Sequence, residues 1–236
     1  IGDALGIPLI VDNTAAPVIC KPIEHGASIV MYSTTKFIAG HGTSVGGVVV
    51  DSGKFDWEKH AKRFPLLNEP DPSYHGAVWT QAVKPIGPVA YAIKLRCTLL
   101  RDIGAAASPF NSFQTIQGME TLPLRMERHC ENANKVADFL ASHPKVTKVI
   151  HPSKQDGESR RRADSYLKGG YGSLMGFELA GGKDAGEKFI NALELFYHVA
   201  NIGDTRSLAI HPATTTHSQL SEQDRLSSGV TDGYVR

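Results

Sequence analysis

The 236-residue chain balances 25 basic against 24 acidic side chains, which argues against a dedicated nucleic-acid or membrane-surface binder. Hydrophobic residues make up 41 %, enough to bury the core of one or two domains. No apolar run approaches the roughly 18–20 residues of a membrane span, and the widely spaced Cys20, Cys97 and Cys130 disfavour zinc or a disulfide framework and fit a reducing cytoplasm.

Residues 1–6 read as the tail of a helix closed at Gly6, with no basic n-region at the start. The apolar run at residues 7–12 predicts a first strand, and its continuous apolar character predicts parallel pairing with cover on both faces. A short helix follows, ending near His25-Gly26. Residues 27–32 predict a second buried strand and residues 43–50 a third, with Gly46-Gly47 allowing a bulge or a close backbone approach. Alternation of this kind is α/β.

Residues 54–88 form a long excursion rich in Pro, Asp, His and aromatics, centred on Glu69-Pro70-Asp71-Pro72-Ser73-Tyr74-His75-Gly76. Long excursions in compact domains are usually functional, and these aromatics need a surface to pack on. Residues 89–100 are helical. Ser108-Pro109 reads as an N-cap with proline at the first helical position. Helix is predicted over 110–119 and, after a break at Pro123, over 127–142. Strands are predicted at 146–151 and 173–179, with a helix at 183–193. Arg160-Arg161-Arg162 reads as a solvated loop-to-helix face. The chain ends in a turn entering a strand at residues 229–236. Both ends read as those of an interior slice of a longer polypeptide. The division predicted is residues 1–115, part of a large parallel or mixed-sheet α/β domain, and residues 116–236, a smaller α+β C-terminal domain.

The chemistry concentrates in Val11-Asp12-Asn13-Thr14 and Ser33-Thr34-Thr35-Lys36-Phe37. A lysine after hydroxyl residues, with an aspartate one βαβ unit upstream, is what pyridoxal 5'-phosphate (PLP) requires. The lysine bonds to the aldehyde, the hydroxyls donate to the phosphate, and the aspartate keeps the pyridine nitrogen protonated. Asp12 and Lys36 both fall at the C-terminal edge of the predicted sheet, where α/β proteins bind ligands. Ser33 and Thr35 share a face if the backbone stays extended. The alternatives are Asp12 as a helix cap or turn residue and a surface Lys36, the latter opposed by the apolar Phe37-Ile38. Gly40-His41-Gly42-Thr43-Ser44 lacks both the Walker and the GxGxxG order and reads as a tight turn into the third strand. The histidines show no HxH, HxxxH or HExxH spacing, so no metal site is predicted. His211 and His217 read as structural hydrogen-bonding groups. Arg206 reads equally as a group facing the distal end of a substrate or as half of a surface salt bridge.

These motifs, together with Gly118-Met119-Glu120-Thr121-Leu122-Pro123-Leu124-Arg125-Met126 and Ser207-Leu208-Ala209-Ile210-His211-Pro212-Ala213 with Thr216-His217-Ser218, resemble the Cys/Met-metabolism family of fold-type I PLP enzymes. The resemblance runs along essentially the whole chain. Gly40–Ser44 and the long excursion resemble the sulfhydrylase branch rather than the cystathionine-handling ones. The resemblance implies a γ-replacement turning O-acetylhomoserine and sulfide into homocysteine and acetate. A cystathionine γ-synthase, an O-succinylhomoserine sulfhydrylase, a methionine γ-lyase and a catalytically silent assembly fragment stand as the alternatives. It implies Lys36 as the cofactor-bearing lysine and proton carrier, Asp12 as the pyridinium partner and Thr14 beside the ring. Ser33 and Thr35 are implied on the phosphate. Ser207 and Thr216 are implied near the lysine and the substrate carboxylate, and Arg236 as the fork that binds that carboxylate. It further implies a cytoplasmic homotetramer built from dimers. The family's phosphate loop and ring-stacking tyrosine are absent from this sequence, as is the Tyr/Arg pair a neighbouring subunit supplies.

Overall fold

The computed structural model describes residues 2–236; Ile1, the first residue of the predicted helix tail, lies outside them. The chain divides into two compact units. One comprises Ile1–Thr14, Lys21–Thr34 and Val45–Phe113; the other comprises Ala15–Cys20, Thr35–Ser44 and Gln114–Arg236.

The first unit is built on a three-stranded sheet of β1 (Ile10–Asp12), β2 (Ile29–Ser33) and β3 (Gly47–Asp51) in that order. β1 and β2 run parallel, pairing Ile10 with Ile29, whereas β3 runs antiparallel to β2, pairing Ile29 with Asp51. The sheet is therefore mixed. β1 is also not covered on both faces: it is an edge of this sheet, and Leu9 and Ile10 are each 48 % exposed. The third strand starts later than predicted, at Gly47, because Gly40 (φ 77°) and Gly42 (φ 65°) take left-handed turns that delay the ladder. Pro22–His25 forms one 3₁₀ segment closed by Gly26 at φ 89°.

The excursion supplies the core of this unit. Phe55, Trp57, Leu67, Trp79 and Val83 bury against Ile29 of β2 and Ala90. Leu67 belongs to α1 (Pro65–Asn68) and Trp79 to α2 (Trp79–Ala82). Asp71 ties the segment together, accepting from the Ser73 amide (2.9 Å), Trp79 Nε1 (2.8 Å) and Lys94 Nζ (2.6 Å). The Lys94 ammonium, first of these in effect, holds the Asp71 carboxyl far below the usual carboxylate range. Lys94 ends α3 (Ala90–Lys94), which continues as a wider π-type helix over Leu95–Ile103.

Helix α4 spans Pro109–Glu120, and Ser108 Oγ accepts from the Asn111 amide at 3.1 Å as the predicted cap. The break before α5 (Leu122–Ser142) falls at Thr121 rather than at Pro123. Pro123 lies in the first turn of α5, where its missing N–H costs nothing. In the second unit, β4 (Val146–Ile150) and β8 (Tyr234–Val235) flank β5 (Gly176–Leu179) in an antiparallel sheet. Between these strands come α6 (Gly157–Tyr166), α7 (Gly182–Asn191), β6 (Tyr197–His198), β7 (Leu208–Ala209) and α8 (Glu222–Ser227). β6 and β7 pair in parallel. Leu140, Phe177, Ile190, Ala209 and Val235 form its main core. A second cluster joins Ile19 and Phe37 to Met126 and Cys130 of α5, which explains why residues 15–20 and 35–44 pack with this unit despite preceding residue 115. Among the described residues no helix is long and apolar enough to cross a membrane.

Candidate functional site

Asp12 closes β1 with its carboxylate exposed. Thr14, two residues on, donates its amide to Asp12 Oδ1 at 2.9 Å, and its hydroxyl donates to the same carboxylate. That hydroxyl oxygen in turn accepts the Ser33 amide at 2.7 Å. The two Thr14 hydrogen bonds, the hydroxyl's foremost, lower the Asp12 pKa below its ordinary value, so the carboxylate, an anion at neutral pH in any case, stays ionised further into acid. An ionised, exposed carboxylate at the C-terminal end of a strand has the chemistry to hold a protonated pyridine nitrogen. Asp12 caps no helix, but its carboxylate accepts an Asx-type turn, as the alternative reading of a turn residue expects.

β2 ends at Ser33, and a π-type turn over Thr34–Ile38 begins at once. The extended backbone on which Ser33 and Thr35 would share a face therefore stops at Ser33. Within the turn Lys36 leaves helical geometry, at φ −90° and ψ −126°.

In the second unit the segment after Lys36 is buried: Phe37 is 0 % exposed, and Ile38 and Ala39 are also buried. Lys36 itself is half-buried, and its Nζ donates to Asn201 Oδ1 at 2.5 Å. Among the described residues Lys36 forms no ion pair, so its amine is held by a neutral oxygen. The Asn201 carbonyl accepts from Arg236 Nη2 at 3.3 Å. Arg236 follows β8 and is fixed by reciprocal backbone bonds with Ile210, of 2.9 and 3.0 Å. A cavity of about 450 Å³ is lined by Asn201, Arg206, Ser207 and Arg236 together with Phe177, Phe189 and Phe196; Lys36 is not among its lining residues. Of the residues predicted near lysine and carboxylate, Ser207 and Arg236 line this cavity. Thr216 does not: it is exposed, its hydroxyl 2.9 Å from His217 Nδ1.

Arg206 forms an ion pair and also lines this cavity, so both of its readings stand. Its guanidinium meets both oxygens of the buried Asp204 carboxylate, Nε at 3.0 Å and Nη2 at 2.8 Å, and lies over the Tyr197 ring at 5.5 Å. This contact holds the Asp204 carboxyl below its ordinary range. His211 is fully buried between Thr214 Oγ1 (2.9 Å) and the Asp232 carbonyl (2.7 Å), a structural arrangement.

Sequence reasoning missed two residues. Asn201 is 165 positions from the lysine it touches, and no spacing rule reaches that far. Arg125 lies inside a quoted motif yet had no role assigned. It donates to the carbonyls of Phe37 (2.7 Å), Ile38 (3.1 Å) and Gly118 (2.6 Å).

The sequence matches the family described as Cys/Met metabolism PLP-dependent enzyme over residues 1–236. Homocysteine synthase of Schizosaccharomyces pombe is 49 % identical over 238 residues, covering 100 % of this chain and 55 % of that protein. O-acetyl-L-homoserine sulfhydrylase of Leptospira meyeri is 49 % identical over 239 residues, covering 98 % and 54 %. Among solved structures, a putative O-acetylhomoserine (thiol)-lyase of Campylobacter jejuni containing N'-pyridoxyl-lysine-5'-monophosphate aligns with a TM-score of 0.90 at 35 % identity, over 99 % of this chain and 55 % of that one. Cystathionine gamma synthase of Xanthomonas oryzae aligns with a TM-score of 0.74 at 32 % identity, over 99 % and 51 %. The chain spans about half the length of the curated relatives it matches.

Proposed function

Because the chain belongs to the Cys/Met metabolism PLP-dependent enzyme family, we propose that the complete protein replaces the γ-acetoxy group of O-acetyl-L-homoserine with sulfide, giving L-homocysteine and acetate. The observation that carries this reading is Lys36: a half-buried lysine on a buried segment, its amine held by the neutral Asn201 amide oxygen beside Arg236. Names borne by relatives at 49 % identity support the choice of substrate.

PLP supplies an electron sink for the charge left when the Cα proton is removed. Lys36 Nζ is the amine that bonds the cofactor and, once displaced by the substrate amine, the base that moves protons at Cα and Cβ. Asp12, an anion hydrogen-bonded by Thr14, partners the pyridinium nitrogen, and Thr14 lies beside the ring. Ser33 and Thr35 donate to the phosphate. Arg236 takes the substrate α-carboxylate in its guanidinium fork, with Ser207 as a further contact on the substrate side; Thr216, outside the cavity, has that role from the resemblance alone. Arg206, paired with Asp204, lines the same cavity as Ser207 and Arg236, and its reading as a group facing the distal end of the substrate stands beside the ion pair.

Copies assemble as a homotetramer built from dimers, a reading supported by the exposed stripe of Phe110, Phe113 and Ile116 on α4. Three free cysteines support action in the reducing cytoplasm.

The test uses the complete protein with PLP. A visible absorbance band that borohydride collapses, with the reduced cofactor located on Lys36 by peptide mass, is the first expected result. Homocysteine formed from O-acetylhomoserine and sulfide is the second. Cystathionine formed with cysteine, and no homocysteine with sulfide, would overturn the substrate assignment while leaving the family intact. In Lys36→Ala the reducible band disappears.

A further inference from the structure

Arg125 stands in α5, yet three of its four hydrogen bonds reach backbone carbonyls outside that helix. Nη1 donates to Phe37 O at 2.7 Å; Nη2 donates to Ile38 O at 3.1 Å and to Gly118 O at 2.6 Å; Nε donates to Thr121 Oγ1 at 3.1 Å. Among the described residues it meets no carboxylate. Two of those carbonyls belong to the residues directly after Lys36, both buried. The turn over Thr34–Ile38 ends there, where a helical turn leaves carbonyls without intrahelical donors. A planar guanidinium with a fixed fork of donors can serve several such oxygens together, which an ammonium cannot.

The surrounding sequence makes room for this contact. Gly40, at φ 77°, approaches the guanidinium so closely that a Cβ there would overlap it. A Cβ on Gly118 would overlap the carbonyl oxygens of Ile38 and Ala39, and one on Gly203 would overlap Phe37. Two glycines therefore admit Arg125 and α4 to one side of the lysine segment, and a third admits the loop that carries Asn201.

We propose that Arg125 is a positioning residue for Lys36, acting through the carbonyls of Phe37 and Ile38 to fix the direction in which the lysine amine is presented to an aldehyde. This rests on the reading of Lys36 as the cofactor-bearing lysine. The guanidinium does not touch cofactor or substrate; it holds the peptide groups that set the Lys36 Cα–Cβ direction, while Asn201 holds the far end of the side chain. Withdrawing it leaves two buried carbonyls without their donor and releases the segment from one side.

The test measures adduct formation between Lys36 and added PLP in cofactor-free complete protein, by absorbance, borohydride trapping and peptide mass. Folding is followed in parallel by circular dichroism and urea midpoint. Displacement of the amine by about 1 Å slows Arg125→Ala roughly tenfold to a hundredfold in its folded fraction, with Arg125→Lys between it and the parent. Added guanidinium ion, below denaturing concentration, restores part of the Arg125→Ala rate. A merely structural role would lower the urea midpoint without slowing adduct formation or responding to guanidinium. Folded Arg125→Ala reacting at the parent rate overturns the proposal. If Arg125→Ala does not fold, Arg125→Lys decides: a slowed rate supports positioning, and a parent rate overturns it. A parent protein that forms no adduct at Lys36 overturns the cofactor reading itself, which separates that failure from failure of the clamp.

Discussion

Thr14 acts on Asp12 through both of its donors, and the Ser33 amide orients the hydroxyl between them. Replacing Thr14 with Val keeps the shape and the amide bond but removes the hydroxyl, the larger of the two influences on the carboxylate. The Asp12 pKa is lowered in the native protein, so the substitution moves it upward, toward the ordinary value. A carboxyl-carbon NMR titration of Asp12 checks this: an unchanged midpoint would show that the hydroxyl does not control the charge. At neutral pH the carboxylate is ionised in either protein, so any loss of PLP retention through its charge should appear only as pH falls toward the Asp12 midpoint. Asp12 stood out in the sequence because Thr14, whose amide and hydroxyl reach its carboxylate, is two residues away, and Lys36 because it follows a run of hydroxyl residues. The contact with Asn201 was not legible, because it forms only after the chain has passed through α4, α5 and three further strands, β4 to β6. Asn201→Ala leaves the half-buried Lys36 amine without its acceptor. The expected effect on substrate turnover is about tenfold or more, read as kcat at saturating sulfide, since misplacement of a reacting group by a fraction of an ångström is costly.

Helix ends were more legible than strands, for a local reason. Ser108-Pro109 signals a cap through side-chain chemistry that needs no tertiary partner, and the structure shows Ser108 Oγ on the Asn111 amide. Ser108→Ala removes that acceptor from the exposed start of α4. A loss of about 1 kcal/mol is expected in urea denaturation; Ser108→Asp, which can cap equally well, should restore it. Strand direction carries no such local mark. The apolar run of β3 fits a parallel or an antiparallel strand, and its pairing with β2 is set by the turns at Gly40 and Gly42 and by the register from Ser33–Gly47 to Ile29–Asp51. Pro123 misled for a related reason. Proline excludes a helix interior but suits a first turn, so the residue predicted to break α5 instead begins it. The aromatics of the excursion were read correctly as needing a surface. That surface is partly their own: Trp57 packs edge-on to Phe55 at 4.7 Å and to Phe64 at 5.1 Å.

Across the whole chain, the perturbed groups predict which way acid acts on stability. His151 is buried, with Nε2 on the Gly172 carbonyl at 3.3 Å and Nδ1 accepting the Ser153 amide at 3.3 Å, so the folded protein holds it as a neutral ring. Burial lowers its pKa from the ordinary 6.5. His129 is lowered by burial and by the Arg125 charge. Below pH 6.5 the unfolded chain therefore binds protons that the native one refuses, and stability falls with falling pH until the native rings titrate. A second loss follows at lower pH. Asp71, held by Lys94, and Asp204, held by Arg206, have native pKa values below the ordinary 3.8. Their stabilisation is complete above that value and disappears as pH drops through the native ones. Asp51 has the opposite sign: burial raises it, so its contribution to the fold grows as pH falls from its native pKa to 3.8, is complete below that value and only partly offsets the losses. Urea midpoints at fixed ionic strength should decline from pH 7 to 5 and again, more steeply, below about pH 4. Each phase has its own control. His151→Gln, which keeps a neutral hydrogen-bonding side chain, should flatten the first decline, and Asp71→Asn should lower stability at pH 7 while flattening the second. A first decline of unchanged size in His151→Gln would show that the ring is protonated in the fold, contrary to the acceptor role its Nδ1 plays toward Ser153.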